Sequence, residues 1–185
     1  LPEPYDRVYR RDLERALALS PDHLSVYLLT VEEPARLFER VRLGEVEVLD
    51  EDRQAAIFLE CHERLTRAGY EHYEVSNFAR PGYRSRHNSL YWSGELYWGL
   101  GAGAHSYLMQ DGGYLRRANA ADPLRYMDLL ESGRAPIEFT ESLTTGMMQR
   151  EKIMLALRTA EGLAPAEFGE LEEKIVRILT PHARH

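Results

Sequence analysis

Residues 49–76, LDEDRQAAIFLECHERLTRAGYEHYEVS, decide the fold of this chain. Asp50 is placed to cap a long helix over 51–68, and Gly69 is placed to stop it. Residues 70–76 then alternate in the manner of a β-strand. The stretch therefore predicts a helix that leads directly into a strand.

The residues before this stretch repeat the same order of elements. Residues 4–19 carry apolar positions at helical spacing. Residues 23–30, HLSVYLLT, form a nearly continuous apolar run, which is typical of a strand buried on both faces of a parallel sheet. Helix, strand, helix and strand in succession indicate an α/β fold, a parallel sheet or barrel. We expect strands 23–29 and 70–75 to lie parallel and adjacent.

The pattern changes after residue 77. Residues 78–95 are rich in Arg, Gly, Ser and Asn, which predicts a loop. The elements predicted beyond it are strands at about 96–100, 104–110 and 114–118, a helix from Asp122 to Gly133, and helices at about 144–160 and 165–179.

Composition narrows the class of protein. The 185 residues are 44% hydrophobic and 29% charged, ordinary values for a globular protein. A formal net charge of -7 argues against a nucleic-acid partner, whose phosphates favour a basic face. No apolar run is long enough to span a bilayer, and no signal peptide is recognisable. The single cysteine, Cys61, excludes an internal disulfide and predicts a cytoplasmic protein.

The segment HNSLYW supplies the first candidate for ligand binding. His87 could serve as an axial ligand to heme iron, with Asn88 beside it and Tyr91 and Trp92 flanking the macrocycle. Two nearby basic residues could pair with propionates: Arg84 and Arg86. The alternative is a surface loop in which Asn88 caps a turn and the two aromatic residues are hydrophobic anchors.

The second candidate is a glycine-rich segment that ends in a histidine. Gly99, Gly101 and Gly103 precede His105, and glycines allow a ligand to approach the backbone closely. The spacing is not that of a dinucleotide fingerprint. A strand that bends sharply to close a sheet would require the same glycines, and the sequence leaves both interpretations open.

Ordered segments over most of the chain resemble the HemW family of heme chaperones, which are relatives of the oxygen-independent coproporphyrinogen III oxidases. The segments are LERALALSPDHLSVYLLTVEEP, LDEDRQAAIFLECHERLTRAGYEHYEVSNFARPG, HNSLYW, YWGLGAGAHSY and RRAN followed by DPLRYM. The resemblance implies the C-terminal part of a radical S-adenosylmethionine (SAM) partial barrel of the (βα)6 type with an α+β extension. Residues 1–77 would be its last βα units, and residues 78–185 the extension.

The resemblance also implies roles for individual residues. HNSLYW matches the heme-binding motif of the chaperone branch, which assigns the heme iron to His87, and SAM would contact Thr30 and His105. The cysteines that hold the family's [4Fe–4S] cluster are absent here, because one cysteine cannot supply three or four thiolates. This chain is therefore expected to lack the N-terminal, cluster-binding half and to be unable to cleave SAM alone.

The implied function is to hold heme and deliver it to a hemoprotein. The alternative is an oxygen-independent coproporphyrinogen III oxidase, a SAM-radical enzyme of porphyrin biosynthesis. A third interpretation gives the fragment a structural role only. The sequence leaves open the identity of the heme recipient and a peripheral association with a membrane.

Overall fold

The computed structural model describes residues 8–33 and 35–182. The chain divides into two compact units, residues 1–85 and residues 86–185. The assignment of 1–77 to a barrel and of 78–185 to an extension stays a prediction.

The first unit alternates helices with short strands. Its elements are α1 (Val8–Ala18), β1 (His23–Ser25), α2 (Arg36–Arg42), α3 (Glu51–Arg67), β2 (Glu71–Glu74) and β3 (Asn77–Ala79). The capped helix predicted at 51–68 is confirmed: the Asp50 carboxylate accepts a hydrogen bond from the Arg53 N–H at 2.7 Å, and Gly69 has a φ of 89°. The start predicted for the first helix, residues 4–7, lies outside the described residues.

The three strands of this unit form a sheet in the order β1-β3-β2. Both neighbours of β3 pair with it in antiparallel fashion, so β1 and β2 run in the same direction. The predicted direct pairing of 23–29 with 70–75 is nevertheless wrong, because Asn77–Ala79 folds back between the two strands.

A buried carboxylate fixes that reversal of the chain. Glu74 is 3% exposed and accepts hydrogen bonds from the Ser76 N–H and the Asn77 amide. Asn77 in turn accepts a hydrogen bond from the Ser25 hydroxyl on β1 at 2.5 Å. A register shift between His72 and Glu74 interrupts the alternation that the sequence predicts, so that Tyr73 and Glu74 are both buried.

The apolar run 23–30 is a much shorter strand than predicted. The Val26 N–H donates to the Ser76 carbonyl at 2.7 Å, and the pairing ends there. Tyr27 is 71% exposed, and Leu28 and Leu29 are also exposed, so the expected burial on both faces is wrong for these residues.

The core of the first unit lies between α1, α3 and the sheet. Its buried members are Leu13, Leu49, Ile57, Cys61, Leu65, Tyr70 and Phe78. Leu65 and Phe78 are fully buried, and burial of an aliphatic or aromatic side chain of this size contributes about 1.5–3 kcal/mol. The face of α3 that carries Ile57, Cys61 and Leu65 therefore holds the helix on the sheet.

The second unit is an antiparallel sheet with helices. Its elements are α4 (Arg86–Ser93), β4 (His105–Gln110), β5 (Gly113–Asn119), α5 (Pro123–Glu131), β6 (Ile137–Leu143), α6 (Thr145–Ala156), a 3-10 helix (Pro165–Leu171), α7 (Glu172–Leu179) and a final 3-10 turn (Thr180–His182). The sheet order is β4-β5-β6, and all pairs are antiparallel.

Several sequence predictions for this unit require correction. The loop predicted at 78–95 contains the last two residues of β3, in the first unit, and the helix α4, in the second. The strand predicted at 96–100 reduces to one bridge between Tyr97 and Tyr107. The helix predicted at 165–179 breaks at Gly169, whose φ of 52° is incompatible with a continuous helix. The β4–β5 hairpin and the Asp122 cap of α5 are confirmed.

None of the helices in the described ranges is both long enough and apolar enough to cross a membrane.

Candidate functional site

The helix α4 carries the whole HNSLYW segment. It ends in a Schellman motif, in which Gly94 has a φ of 72° and the Glu95 N–H donates to the Leu90 carbonyl. His87 and Tyr91 lie four residues apart, so they share one face of the helix. Their rings meet edge to face, with centroids 5.0 Å apart and planes at 87°. The helical turn that places Tyr91 beside His87 is therefore present.

A pocket of about 370 Å³ opens beside the C-terminal half of α4. This volume lies in the range of small-molecule sites. The lining residues come from α4 and its C-terminal turn, from β4 and β5, and from α6: Tyr91, Trp92, Ser93, Gly94, Glu95, Tyr97, Tyr107, Tyr114, Arg116, Met148, Glu151, Lys152 and Leu155. Tyr91 and Trp92 thus belong both to the sequence motif and to the pocket. His87 does not line the pocket, but its ring contacts Tyr91, which does.

Four tyrosine rings form a row along the pocket. Tyr91 contacts Tyr97 at a centroid distance of 4.6 Å, and Tyr97 lies 6.4 Å from Tyr107. Tyr107 stacks on Tyr114 at 5.7 Å with an interplanar angle of 22°. Tyr107 and Tyr114 are diagonal neighbours across the β4–β5 ladder, a spacing within reach of aromatic side chains. The pocket therefore has a wall of continuous aromatic surface.

Burial changes the acid–base behaviour of two of these rings. Desolvation raises the pKa of Tyr97, and the neighbouring Tyr91 adds to the shift. Desolvation also raises the pKa of Tyr107, with a further contribution from Tyr114. Both phenols therefore keep their protons at physiological pH.

Arg116 forms the polar floor of the pocket. It lies opposite Tyr107 in the β4–β5 register. One guanidinium nitrogen donates to Glu141 at 3.1 Å, and the other donates to both carboxylate oxygens of Glu151, at 2.6 and 2.7 Å. Hydrogen bonds between charged partners are roughly twice as strong as neutral ones, and here the guanidinium bridges two carboxylates. The arginine is therefore neutralised by the protein itself.

The glycine segment has a structural explanation in this fold. A Cβ on Gly99 would lie 2.0 Å from the His105 carbonyl oxygen, and Gly101 and Gly103 have φ values of 104° and 69°. The Asn119 amide donates to the carbonyls of Gly99 and Gly101, at 3.3 and 2.9 Å. Each glycine is thus required by close packing or by a left-handed backbone, as expected for a chain that bends to join a sheet.

The remaining predicted residues are spread over the two units. Thr30 is exposed in an irregular segment of the first unit, and His105 is exposed at the start of β4 in the second. Arg84 forms an ion pair with Glu71 at 3.2 Å and lies over the Tyr73 ring, so it is already engaged within the first unit. Arg86 begins α4 and is exposed.

The sequence predicts only two of the residues that line the pocket, Tyr91 and Trp92. Tyr97, Tyr107, Tyr114 and Arg116 were not identified as site residues. The alternation along the predicted hairpin could have placed Tyr107, Tyr114 and Arg116 on one face. The contribution of Glu151 depends on the packing of α6, which the sequence does not reveal.

No group of three or more His, Cys, Asp or Glu side chains in the described ranges is arranged to hold a metal ion. Cys61 is 5% exposed on the core face of α3, and desolvation raises the pKa of its thiol. A buried thiol with a raised pKa is a poor nucleophile and a poor metal ligand.

Comparison with known proteins gives a consistent set of relatives, although no protein-family profile matches the chain. The heme chaperone HemW of Mycobacterium tuberculosis is 37% identical over 164 residues, which is 89% of this chain and 41% of that protein. HemW of Escherichia coli is 39% identical over 170 residues, 90% of this chain and 43% of that protein. The mitochondrial radical S-adenosyl methionine domain-containing protein 1 of Danio rerio is 32% identical, over 84% of this chain and 36% of that protein.

A solved structure shares the fold. Coproporphyrinogen III oxidase (HemN) from Escherichia coli, a radical SAM enzyme, aligns with a TM-score of 0.70 and 19% identity over 100% of this chain and 46% of that one. The predicted α/β fold class is therefore confirmed, and the chain shares the fold of the part of that protein that it matches. The chain spans about two fifths of the length of the curated HemW relatives that it matches.

Proposed function

We propose that this chain belongs to a chaperone that holds heme and delivers it to hemoproteins. The premise is its similarity in sequence to HemW over 89% of its length. The observation that carries the proposal is the contact of His87 with Tyr91 on one face of α4, because Tyr91 lines an aromatic pocket. Relatives with this degree of identity bear the name heme chaperone.

The residues present fit a heme group. His87 is exposed, and a neutral imidazole nitrogen is a competent ligand to heme iron. Tyr91 supports the imidazole through its edge-to-face contact, while Trp92 is half-buried in the pocket lining. Asn88 follows His87 on the helix and completes the predicted heme-binding set. Arg86 is the basic residue nearest to this set that is available for a propionate.

The other cofactors belong to the longer protein in this proposal. SAM would contact Thr30 and His105, both of which are exposed. A [4Fe–4S] cluster requires cysteines from outside this sequence, because Cys61 is single and buried. The proposed partners are heme and a hemoprotein recipient, and the proposed location is the cytoplasm, a compartment that suits a chain with one reduced cysteine.

The competing function is that of an oxygen-independent coproporphyrinogen III oxidase. The likeness to HemN from Escherichia coli favours it, but that likeness is a shared fold at 19% identity. Because a fold hosts many chemistries, it does not by itself assign an activity. The bacterial relatives that are 32–39% identical bear the chaperone name, so the chaperone is the better supported function.

The test is a titration of the chain with hemin, followed by absorbance in the Soret region. His87→Ala removes the proposed iron ligand, so it should shift the Soret band and weaken binding roughly ten- to hundred-fold. His105→Ala is the matched control, since it also truncates an exposed histidine of the same unit but should leave hemin binding nearly unchanged. If His87→Ala has the affinity and spectrum of the wild type, His87 is not the ligand.

A further inference from the structure

We infer that the tyrosine-lined pocket is a specificity site that receives the apolar, vinyl-bearing edge of a protoporphyrin and excludes an edge that carries propionates. The inference rests on the proposed function, since it concerns the same macrocycle. It adds an orientation for the ligand and a set of contact residues outside the sequence motif. It also predicts that the site binds coproporphyrin weakly.

The first observation is the composition of the wall. Tyr97, Tyr107 and Tyr114 form a row of rings separated by 6.4 and 5.7 Å, and Tyr91 extends the row towards His87. Met148 and Leu155 from α6 also line the pocket. Aromatic and aliphatic surface of this kind favours flat apolar groups, and each aromatic contact contributes beyond the area that it buries.

The second observation is the charge at the floor. Arg116 is the cation best placed to bind a carboxylate, but Glu151 and Glu141 already hold it at 2.6 and 3.1 Å. A propionate that entered the pocket would have to displace one of these carboxylates, and the displaced charge would remain partly buried without its partner.

The other charged residues that line the pocket do not make it more favourable for a propionate. Lys152 is bound to Glu167 at 2.6 Å, and Glu95 adds a negative charge. The Arg, Lys and Glu residues that line the pocket are therefore two cations, Arg116 and Lys152, and two anions, Glu95 and Glu151, whose charges sum to zero. Since Arg116 is held by two carboxylates and the charges of the lining cancel, the pocket offers little net attraction to a propionate; the half-exposed pair of Lys152 with Glu167 contributes little to this.

The third observation is the position of the pocket relative to the proposed iron ligand. His87 lies one helical turn before Tyr91, a rise of about 6 Å along α4. A macrocycle whose iron is bound by His87 and whose edge is directed towards Tyr91 would bring that edge to the pocket that Tyr91 lines. Protoporphyrin bears its vinyl groups on one side and its propionates on the other. Coproporphyrin bears a propionate on each of its four pyrrole rings and has no apolar edge.

The experiment uses metal-free porphyrins, which need no axial ligand, with the 185-residue chain and fluorescence titration. The wild type should bind protoporphyrin IX at least about tenfold more tightly than coproporphyrin III. Tyr107→Leu should weaken protoporphyrin IX binding by roughly 3- to 10-fold. Tyr83→Leu makes the same change at an exposed tyrosine of the first unit and should have no effect. Glu141→Gln with Glu151→Gln releases Arg116 and should improve coproporphyrin III binding.

The outcomes separate this inference from the proposed function. Equal binding of the two porphyrins, or equal effects of Tyr107→Leu and Tyr83→Leu, would overturn the pocket assignment even if hemin still binds through His87. Loss of hemin affinity in His87→Ala without a change for metal-free protoporphyrin IX supports both proposals. If neither hemin nor protoporphyrin IX binds to the chain, the proposed function fails and the inference fails with it.

Discussion

The backbone of Gly99 lies against the carbonyl group of His105 so closely that a β-carbon on Gly99 would come within 2.0 Å of the oxygen. The Gly99 N–H also donates to the Ser106 hydroxyl at 2.9 Å. This contact holds the segment around Tyr97 against β4, where Tyr97 and Tyr107 exchange two backbone hydrogen bonds of 2.9 Å. The wall of the pocket therefore depends on a position at which only glycine fits.

Gly99→Ala should destabilise the second unit by about 2 kcal/mol or more, because the clash is with backbone and cannot be relieved by a rotamer change. Gly146→Ala is the matched control: no atom lies within 4 Å of a Cβ there, and alanine favours the helix α6 by up to about 1 kcal/mol. Urea unfolding of both variants measures the two free energies. Equal stability of the two variants would contradict the close contact at Gly99.

The raised pKa values of Tyr97 and Tyr107 predict a loss of stability at alkaline pH. A group whose pKa is higher in the folded state keeps its proton while the unfolded chain, with a pKa of about 10, loses it. Stability is then fully retained below about pH 10 and falls as the pH rises through the folded pKa values. Replacing both residues by Phe should flatten this decline.

Urea unfolding at about pH 8 and about pH 11 measures the decline, and far-UV circular dichroism at the lower pH controls for a folding defect. The double Phe variant should lose less stability between the two pH values than the wild type does. An identical decline in both proteins would show that these two phenols do not titrate abnormally.

Asn77→Ala should destabilise the first unit by roughly 1–3 kcal/mol. The substitution removes the amide that donates to Glu74 and leaves a carboxylate that is 3% exposed with the Ser76 N–H as its remaining partner among the described contacts. Ser25→Ala removes one hydrogen bond to Asn77 at an exposed position and should cost less, about 0.5–1.5 kcal/mol.

Thermal unfolding of the three proteins tests whether stability decreases in the order wild type, Ser25→Ala, Asn77→Ala. Adding Glu74→Gln to Asn77→Ala should recover part of the loss, because it removes the uncompensated buried charge. If the additional substitution lowers stability further, the carboxylate does not hold the turn in the way described.

Elements with strong local signals could be predicted from the sequence, whereas those that depend on distant partners could not. The helix α3 has a capping aspartate and a terminal glycine, and it begins where the sequence places it. The sequence predicts a loop where the helix α4 lies, because residues 78–95 are rich in Arg, Gly, Ser and Asn. The strand β3 has three residues and is defined by its pairing with both β1 and β2, which are far from each other in sequence.

The candidate site follows the same division. The motif around His87 could be read from the sequence, and a helical turn that brings Tyr91 to it was foreseeable from the spacing. The ion pair of Arg116 with Glu151 joins β5 to α6, and the two residues are 35 positions apart in the sequence. A local sequence pattern cannot predict such a contact. The neutral floor of the pocket, on which the proposed specificity depends, therefore becomes visible only in three dimensions.

The last prediction concerns Cys61 and the iron–sulfur chemistry of the radical SAM fold. Anaerobic reconstitution of this chain with iron and sulfide should leave no stable [4Fe–4S] cluster after a sizing column, because one thiol cannot supply the three or four ligands that a cluster needs. The thiol should also react slowly with a disulfide reagent in the native state, since burial raises its pKa, and should react completely once the chain is unfolded. Cys61→Ala is the control for both assays and should retain the same small amount of iron as the wild type. Several irons per chain in the wild type, absent from Cys61→Ala, would show that Cys61 ligates metal and would contradict its assignment to the core of α3.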